Sequence, residues 1–343
     1  MNKLTKIGVS ALCGSLASVS AANAGTMEVL GGATATWSSN EGTVTGNPIG
    51  MVSGVTFKGS GELDNGTTFT LTLTGADQAG YSSGSINMDI PGVGGIKINQ
   101  ASGGTGIDRY DDMMPTAWEE TNGTSLGTGL QTVAGVGTSM NVEWNVSGDM
   151  LPDGMSLQIA AAPVRNGGVV NDKTGSGDSG GVGGGYDITV AHNALMDGLN
   201  VFAGMSTIEQ PAGSSAGSST DGDRSQYVLG ATYAIGSVTL GYAQSRDNLQ
   251  GNGNGAASYY ENTMFGVSFS VNDNLSLSYG NHKSDKASNN NSSVELEAES
   301  FQLAYTMGGM SVKVAESSVD NGSYTSGSAQ DRDGTTIALS LAF

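Results

Sequence analysis

Thirteen consecutive residues, "DRYDDMMPTAWEE" at 108–120, gather Asp108, Asp111, Asp112, Glu119 and Glu120 around Arg109, in a chain of which only 13% is charged. Carboxylates set that close create a negative potential that draws cations and repels anions, and acidic loops of this kind also suit weak Ca2+ binding. Other chemistry is thin. The chain has two histidines, His192 and His282, and a hydrolase needs its base beside a nucleophile and an orienting polar group. No nucleophile can be assigned to His192, which reads as a rim residue before the 193–198 turn. The glycine-rich "GGVGGGYD" at 180–187 occurs once, without the tandem copies of a calcium-binding roll. Nothing matches a nucleotide, zinc or redox motif, so the expectation is a non-enzyme with no cofactor beyond weak Ca2+ in its acidic loops.

The elements that carry these residues begin after a leader. Residues 1–24 have Lys3 and Lys6, a short apolar run and the small-x-small triplet Ala22-Asn23-Ala24, the layout of a cleavable export signal. The lone cysteine, Cys13, lies inside it, so the remaining domain at 25–343 is expected to fold without disulfides or thiolate metal sites. Lys and Arg number 13 against 32 Asp and Glu, a formal net charge of −19. Nucleic acid is excluded as a partner on sign alone. No stretch beyond the leader is long and apolar enough for a spanning helix.

Period-two alternation dominates 25–343. In "TTIALSLAF" Ile337, Leu339, Leu341 and Phe343 share one face. In "TMFGVSFSVN" Phe265, Val267 and Phe269 oppose Met264, Gly266 and Ser268. Sixteen such strands can be counted, from 28–37 to 334–343. Their connections alternate between short turns and long polar loops at 38–50, 77–83, 101–137, 165–183, 209–224, 247–259, 285–294 and 319–333. Short turns on one rim and long loops on the other belong to a closed antiparallel β-barrel in an outer membrane, where closure also removes the sheet edges. A soluble sandwich would have turns of similar length at both ends. In a membrane barrel apolar residues face lipid and polar ones the lumen. Parity therefore turns Lys58, Lys97 and Lys313 inward, with Glu62, Asp89, Glu143 and Asp187. Gly, Ser, Thr, Ala and Asn dominate the remaining inward positions, a lining that holds water.

This pattern resembles the general-diffusion porins of Gram-negative outer membranes, typically trimers of sixteen-stranded barrels, over the whole chain. The resemblance makes the closing "ALSLAF" a signal to the outer-membrane assembly machinery, carried by Ile337, Leu339, Leu341 and Phe343. It also implies that the third long loop folds into the lumen and narrows it. Here that is 101–137, the longest, with Tyr110, Met113, Met114 and Trp118 as expected anchors and the five acids facing the constriction. Porins of this family set a basic cluster opposite the acidic loop; Lys58, Lys97 and Lys313 are the candidates, although the family's cluster is usually richer in Arg. The implied function is passive diffusion of ions and small hydrophilic solutes, with cations preferred. A homotrimer is implied, in contact with lipid and lipopolysaccharide. The alternatives are a substrate-specific channel and a closed structural or adhesive barrel. The first would carry aromatic tracks or Arg ladders, and neither is seen at the inward positions.

Overall fold

In a computed structural model, residues 25–41, 46–77, 79–100, 102–123, 126–165, 183–210, 220–251, 253 and 255–342 are described. The leader and Phe343 lie outside them, and so does most of the 165–183 loop. Sixteen antiparallel strands close into one barrel, each paired with its neighbours in sequence and the last with the first. In chain order they are β1 Thr26–Asn40, β2 Ile49–Glu62, β3 Thr68–Ala76, β4 Ala79–Ile90, β5 Gly94–Gln100, β6 Asn141–Val146, β7 Met155–Ala162 and β8 Gly185–His192. The second half runs β9 Leu199–Ile208, β10 Arg224–Ile235, β11 Val238–Asn248, β12 Ala257–Ser270, β13 Leu275–Ser288, β14 Ser293–Met307, β15 Met310–Asp320 and β16 Arg332–Ala342. Closure is complete over the described strands: Gly32 pairs with Ala342 and Trp37 with Ile337.

Alternation assigns the faces as expected. Phe57, Leu229, Phe265, Phe301, Ile337, Leu339 and Leu341 all stand exposed on the outside. So do Trp37, Tyr227, Tyr242 and Tyr305, the amphipathic side chains that suit a membrane interface. On β14 the outward row changes character abruptly: Tyr305, Leu303 and Phe301 on the short-turn side give way to Glu299, Glu297 and Glu295. The apolar belt ends there.

Two expectations need correction. The 77–83 connection is not long: β4 begins at Ala79, and a register shift between Thr74 and Ala76 marks the tight reversal. The 285–294 connection shrinks to four residues because β13 and β14 continue as a protruding hairpin. Both segments are polar, and polarity marks exposure to water rather than the end of a ladder.

The largest buried apolar clusters lie where the β5–β6 connection packs on the inside of the wall. Ile107, Tyr110, Met114 and Val133 from that connection meet Phe202, Val228, Ala243 and Met264 from β9 to β12. Leu126 meets Leu296, Ala298, Val319 and Tyr324. A barrel this wide has no sheet-on-sheet core, so the loop supplies one half of the contact itself.

Candidate functional site

The connection between Gln100 and Asn141 enters the barrel and follows its inner wall. Gly106–Tyr110 form a 3-10 turn against β7–β10, with Ile107 fully buried. Tyr110 stacks obliquely on Phe202, ring centroids 4.8 Å apart. Met114 and Pro115 lie over β11 and β12, where the wall has glycine: a Cβ on Gly266 would sit 2.9 Å from that of Met114. The Ala117 amide donates to Ser278 Oγ at 2.8 Å, and the Trp118 and Glu119 amides both donate to Gln302 Oε1 at 3.0 Å. The return limb passes β12, β10 and β8 before re-entering the sheet.

Wall side chains and arginines hold the backbone of this loop. Asp187 Oδ2 accepts the Ile107 and Val136 amides, each at 3.0 Å, and so ties the outgoing limb to the returning one. Glu143 Oε2 accepts the Gly106 amide at 2.7 Å and pairs with Arg109. Gln226 Oε1 accepts the Ala134 and Gly135 amides, and Gln302 the pair already named. Gly106 and Gly135 adopt positive φ, +58° and +50°, which turns the loop backbone closely around Asp187 at little steric cost. Arg165 Nε donates to the Gly135 carbonyl, and Arg332 Nη1 to those of Leu126 and Gly127. From above, Tyr324 accepts the Gln131 amide at 2.8 Å and contacts the hydroxyl of Ser284. Its φ of +54° is unusual for a bulky residue and marks a conformation imposed by its surroundings.

The candidate residues fall out as follows. Tyr110 and Met114 are buried, and Met113 is partly buried against the same cluster. Trp118 is half-buried, with the Lys313 ammonium 5.8 Å above its ring. Ile107, Leu126, Val133 and Val136 are anchors that sequence reading passed over. Glu143 and Asp187 point inward, as parity requires, but face no water: at 2% and 0% exposure they are sealed beneath the loop. Their reading as lumen-lining acids is corrected, because the loop covers them and its backbone amides bond to Glu143 Oε2 and Asp187 Oδ2. Glu62 and Asp89, in contrast, stand exposed on the short-turn side of the barrel.

Of the five loop acids, Glu119 is exposed and the other four are partly buried. Asp108 accepts the Gly104 amide at 2.7 Å, and burial raises its pKa. Burial, with Asp108 and Glu120 nearby, lifts Asp111 to about 7. Burial and then Glu120 and Glu119 do the same to Asp112, again to about 7. Glu120 is raised as well, by burial and by Glu119. No basic side chain forms an ion pair with these five among the described residues.

The three lysines do not form one cluster. Lys313 is on β15, Lys58 on β2 and Lys97 on β5. These strands lie on the other side of the barrel from the β8–β12 arc that receives the main apolar cluster. Lys58 lies 4.0 Å from Glu28 and both remain well exposed. The inner faces of β1–β4, with the short-turn ends of β5 and β6, line a cavity of about 510 Å³.

No protein-family model and no curated protein matches the chain. Solved structures share its fold at low identity. OmpF of Salmonella typhi, in complex with daunomycin, superposes with a TM-score of 0.67 at 15% identity, over 93% of this chain and 98% of that one. The anion-selective porin of Comamonas acidovorans gives 0.64 at 13%, covering 93% and 100%. The trimer form of OmpT, an outer membrane protein of Vibrio cholerae, gives 0.65 at 13% with the same coverage. The fold is that of the porin barrels.

Proposed function

We propose that this chain forms a water-filled channel in a bacterial outer membrane, passing ions and small hydrophilic solutes by diffusion and preferring cations. One observation carries the reading: a long loop is fastened inside the barrel along one wall, with its acids together, while the opposite wall stays open and polar. Pores select by the sign of the charges at their narrowest ring. Here five loop carboxylates face three dispersed lysines, so the local potential is negative. The exposed apolar belt gives the barrel its lipid contact, and the outward acids beyond Phe301 suit the headgroup layer and its lipopolysaccharide.

The role is read as non-catalytic, and the surroundings of the two histidines support that reading. His282 is buried and bonded to Asn262, while His192 accepts the Ala194 amide at the short-turn rim. A homotrimer is supported by the relative solved in trimer form and by an apolar groove of about 810 Å³ outside β1–β4, between Ala33, Val55, Phe57 and Leu73. The acidic loops are expected to bind Ca2+ weakly at most, and the terminal Ile337, Leu339, Leu341 and Phe343 to be read during outer-membrane assembly.

Single-channel conductance with reversal potential in a KCl gradient tests the reading. The protein is expected to show large open steps that favour K+, with the preference reduced in a variant carrying Asp108→Asn, Asp111→Asn and Asp112→Asn. A folded barrel without open steps would return it to the adhesive or structural class. Steps indifferent to the triple variant would place selectivity elsewhere in the lumen.

A further inference from the structure

The cavity of about 510 Å³ on the open wall has a lining that a featureless conduit does not need. Around the barrel its charged members alternate in sign: Glu28 on β1, Lys58 on β2, Asp89 on β4 and Lys97 on β5. The registers place uncharged hydrogen-bonding groups between them. Lys58 faces Thr72 across β2–β3, Thr70 faces Asn87 across β3–β4, and Asn87 faces Lys97 across β4–β5. Glu62 shares a register row with Asp89 through Thr68, although it is not part of the lining.

These charges are not consumed by one another. Glu28 and Lys58 are 4.0 Å apart, longer than a hydrogen bond, with side chains 58% and 43% exposed. Among the described residues neither Asp89 nor Lys97 has an ion-pair partner within 4 Å. Gly95 opposite Asp89 keeps the space in front of that carboxylate clear, since a Cβ there would lie 2.9 Å from Oδ1.

We infer that this wall is a resting site for small zwitterionic solutes, of the class of a free dipeptide, whose carboxylate meets Lys58 and whose ammonium meets Asp89. Those residues stand two strands apart and four residues apart along the strands, since Asp89 faces Thr68 and Thr68 faces Glu62, about 17 Å of wall. An extended dipeptide spans about 7 Å, and the lysine and aspartate side chains reach toward it from either end. A lone cation or anion at this place meets a repelling charge beside each attracting one, whereas a zwitterion satisfies both signs. The lining residues include no aromatic face for a sugar ring. The site rests on the channel reading, and it adds a solute class to a pore otherwise selective only by sign and size.

The test uses diglycine and its uncharged analogue N-acetylglycinamide on the leaderless barrel and on a Lys58→Gln, Asp89→Asn variant. In planar bilayers diglycine is expected to add saturable open-channel current noise, N-acetylglycinamide none. The variant is expected to raise the half-saturating concentration about tenfold through the loss of two charge-assisted contacts. Saturation-transfer NMR on the detergent-solubilised barrel reads binding without conduction. A diglycine signal from the unaltered barrel, absent in the variant, supports the site even if no channel opens, in which case the channel reading alone fails. Equal behaviour of the two solutes, an unchanged variant, or no diglycine signal from the heat-resistant folded barrel overturns it.

Discussion

Asp111 and Asp112 are the residues at which the proposed cation preference is most directly tested. Held at about 7, they change charge within a mild pH range. Lowering the pH from 8 to 5 should neutralise both and reduce the K+ over Cl− preference on the order of twofold. Reversal potentials across that series check it, and a flat profile would exclude them as selectivity groups. Stability runs the opposite way. Their pKa is raised in the folded chain, so it binds protons more tightly than the unfolded chain; their contribution is greatest in acid and is lost as pH rises through about 7. Asp187 plays the opposite part, a buried carboxylate that accepts an amide from each limb of the loop. Asp187→Ala removes two charge-assisted bonds, each worth about 1.5–3 kcal/mol. The expected outcome is a loop cleaved by protease in detergent and a larger unitary conductance, with the β-sheet circular dichroism of the barrel unchanged.

At the scale of elements, the loop and the wall are shaped to each other. Gly266 on β12 leaves room for Met114, and Gly204 on β9 for Ile107, whose Cγ1 would lie 3.0 Å from a Cβ there. Gly266→Val should lift the Met113–Pro115 stretch off β12 while leaving the ladder intact, because valine suits a strand. Conductance is expected to rise and K+ preference to fall; unchanged values would mean that the stretch does not narrow the path. The alternation of polar and apolar residues showed every strand, including both faces of β12. It did not show that Phe202 and Val228 point into the lumen to receive the loop, because an inward apolar residue reads as noise until its partner is known. The long stretch 101–137 was legible as one loop folded into the lumen, and Tyr110, Met113 and Met114 as its apolar contacts. Its fastening by Gln226, Gln302, Arg165 and Arg332 was not, since those residues lie far away in sequence.

For the whole molecule the decisive boundary is between lipid and lumen. Leu229 stands outward on β10 between Tyr233 and Tyr227, 67% exposed in the isolated barrel. Leu229→Arg should cost about 2–4 kcal/mol on folding into vesicles, as for a charge near the bilayer midplane. Urea titration of the refolded barrel measures it, and a cost near zero would place Leu229 at a protein or aqueous surface instead.

The sequence by itself determined the strand number, the faces and the asymmetry of the two rims, because each is a local matter. Side-chain direction follows from period two, and turn length is counted along the chain. It also determined the sign of the loop, through five carboxylates within 108–120. Only the tertiary structure decided which inward charges meet water. Glu143 and Asp187 have the same parity as Glu62 and Asp89, yet the first two lie sealed under loop backbone and the second two stand open. Parity fixes a direction; burial depends on what arrives from elsewhere in the chain, and a buried carboxylate is stable only where donors such as the Gly106, Ile107 and Val136 amides come to meet it.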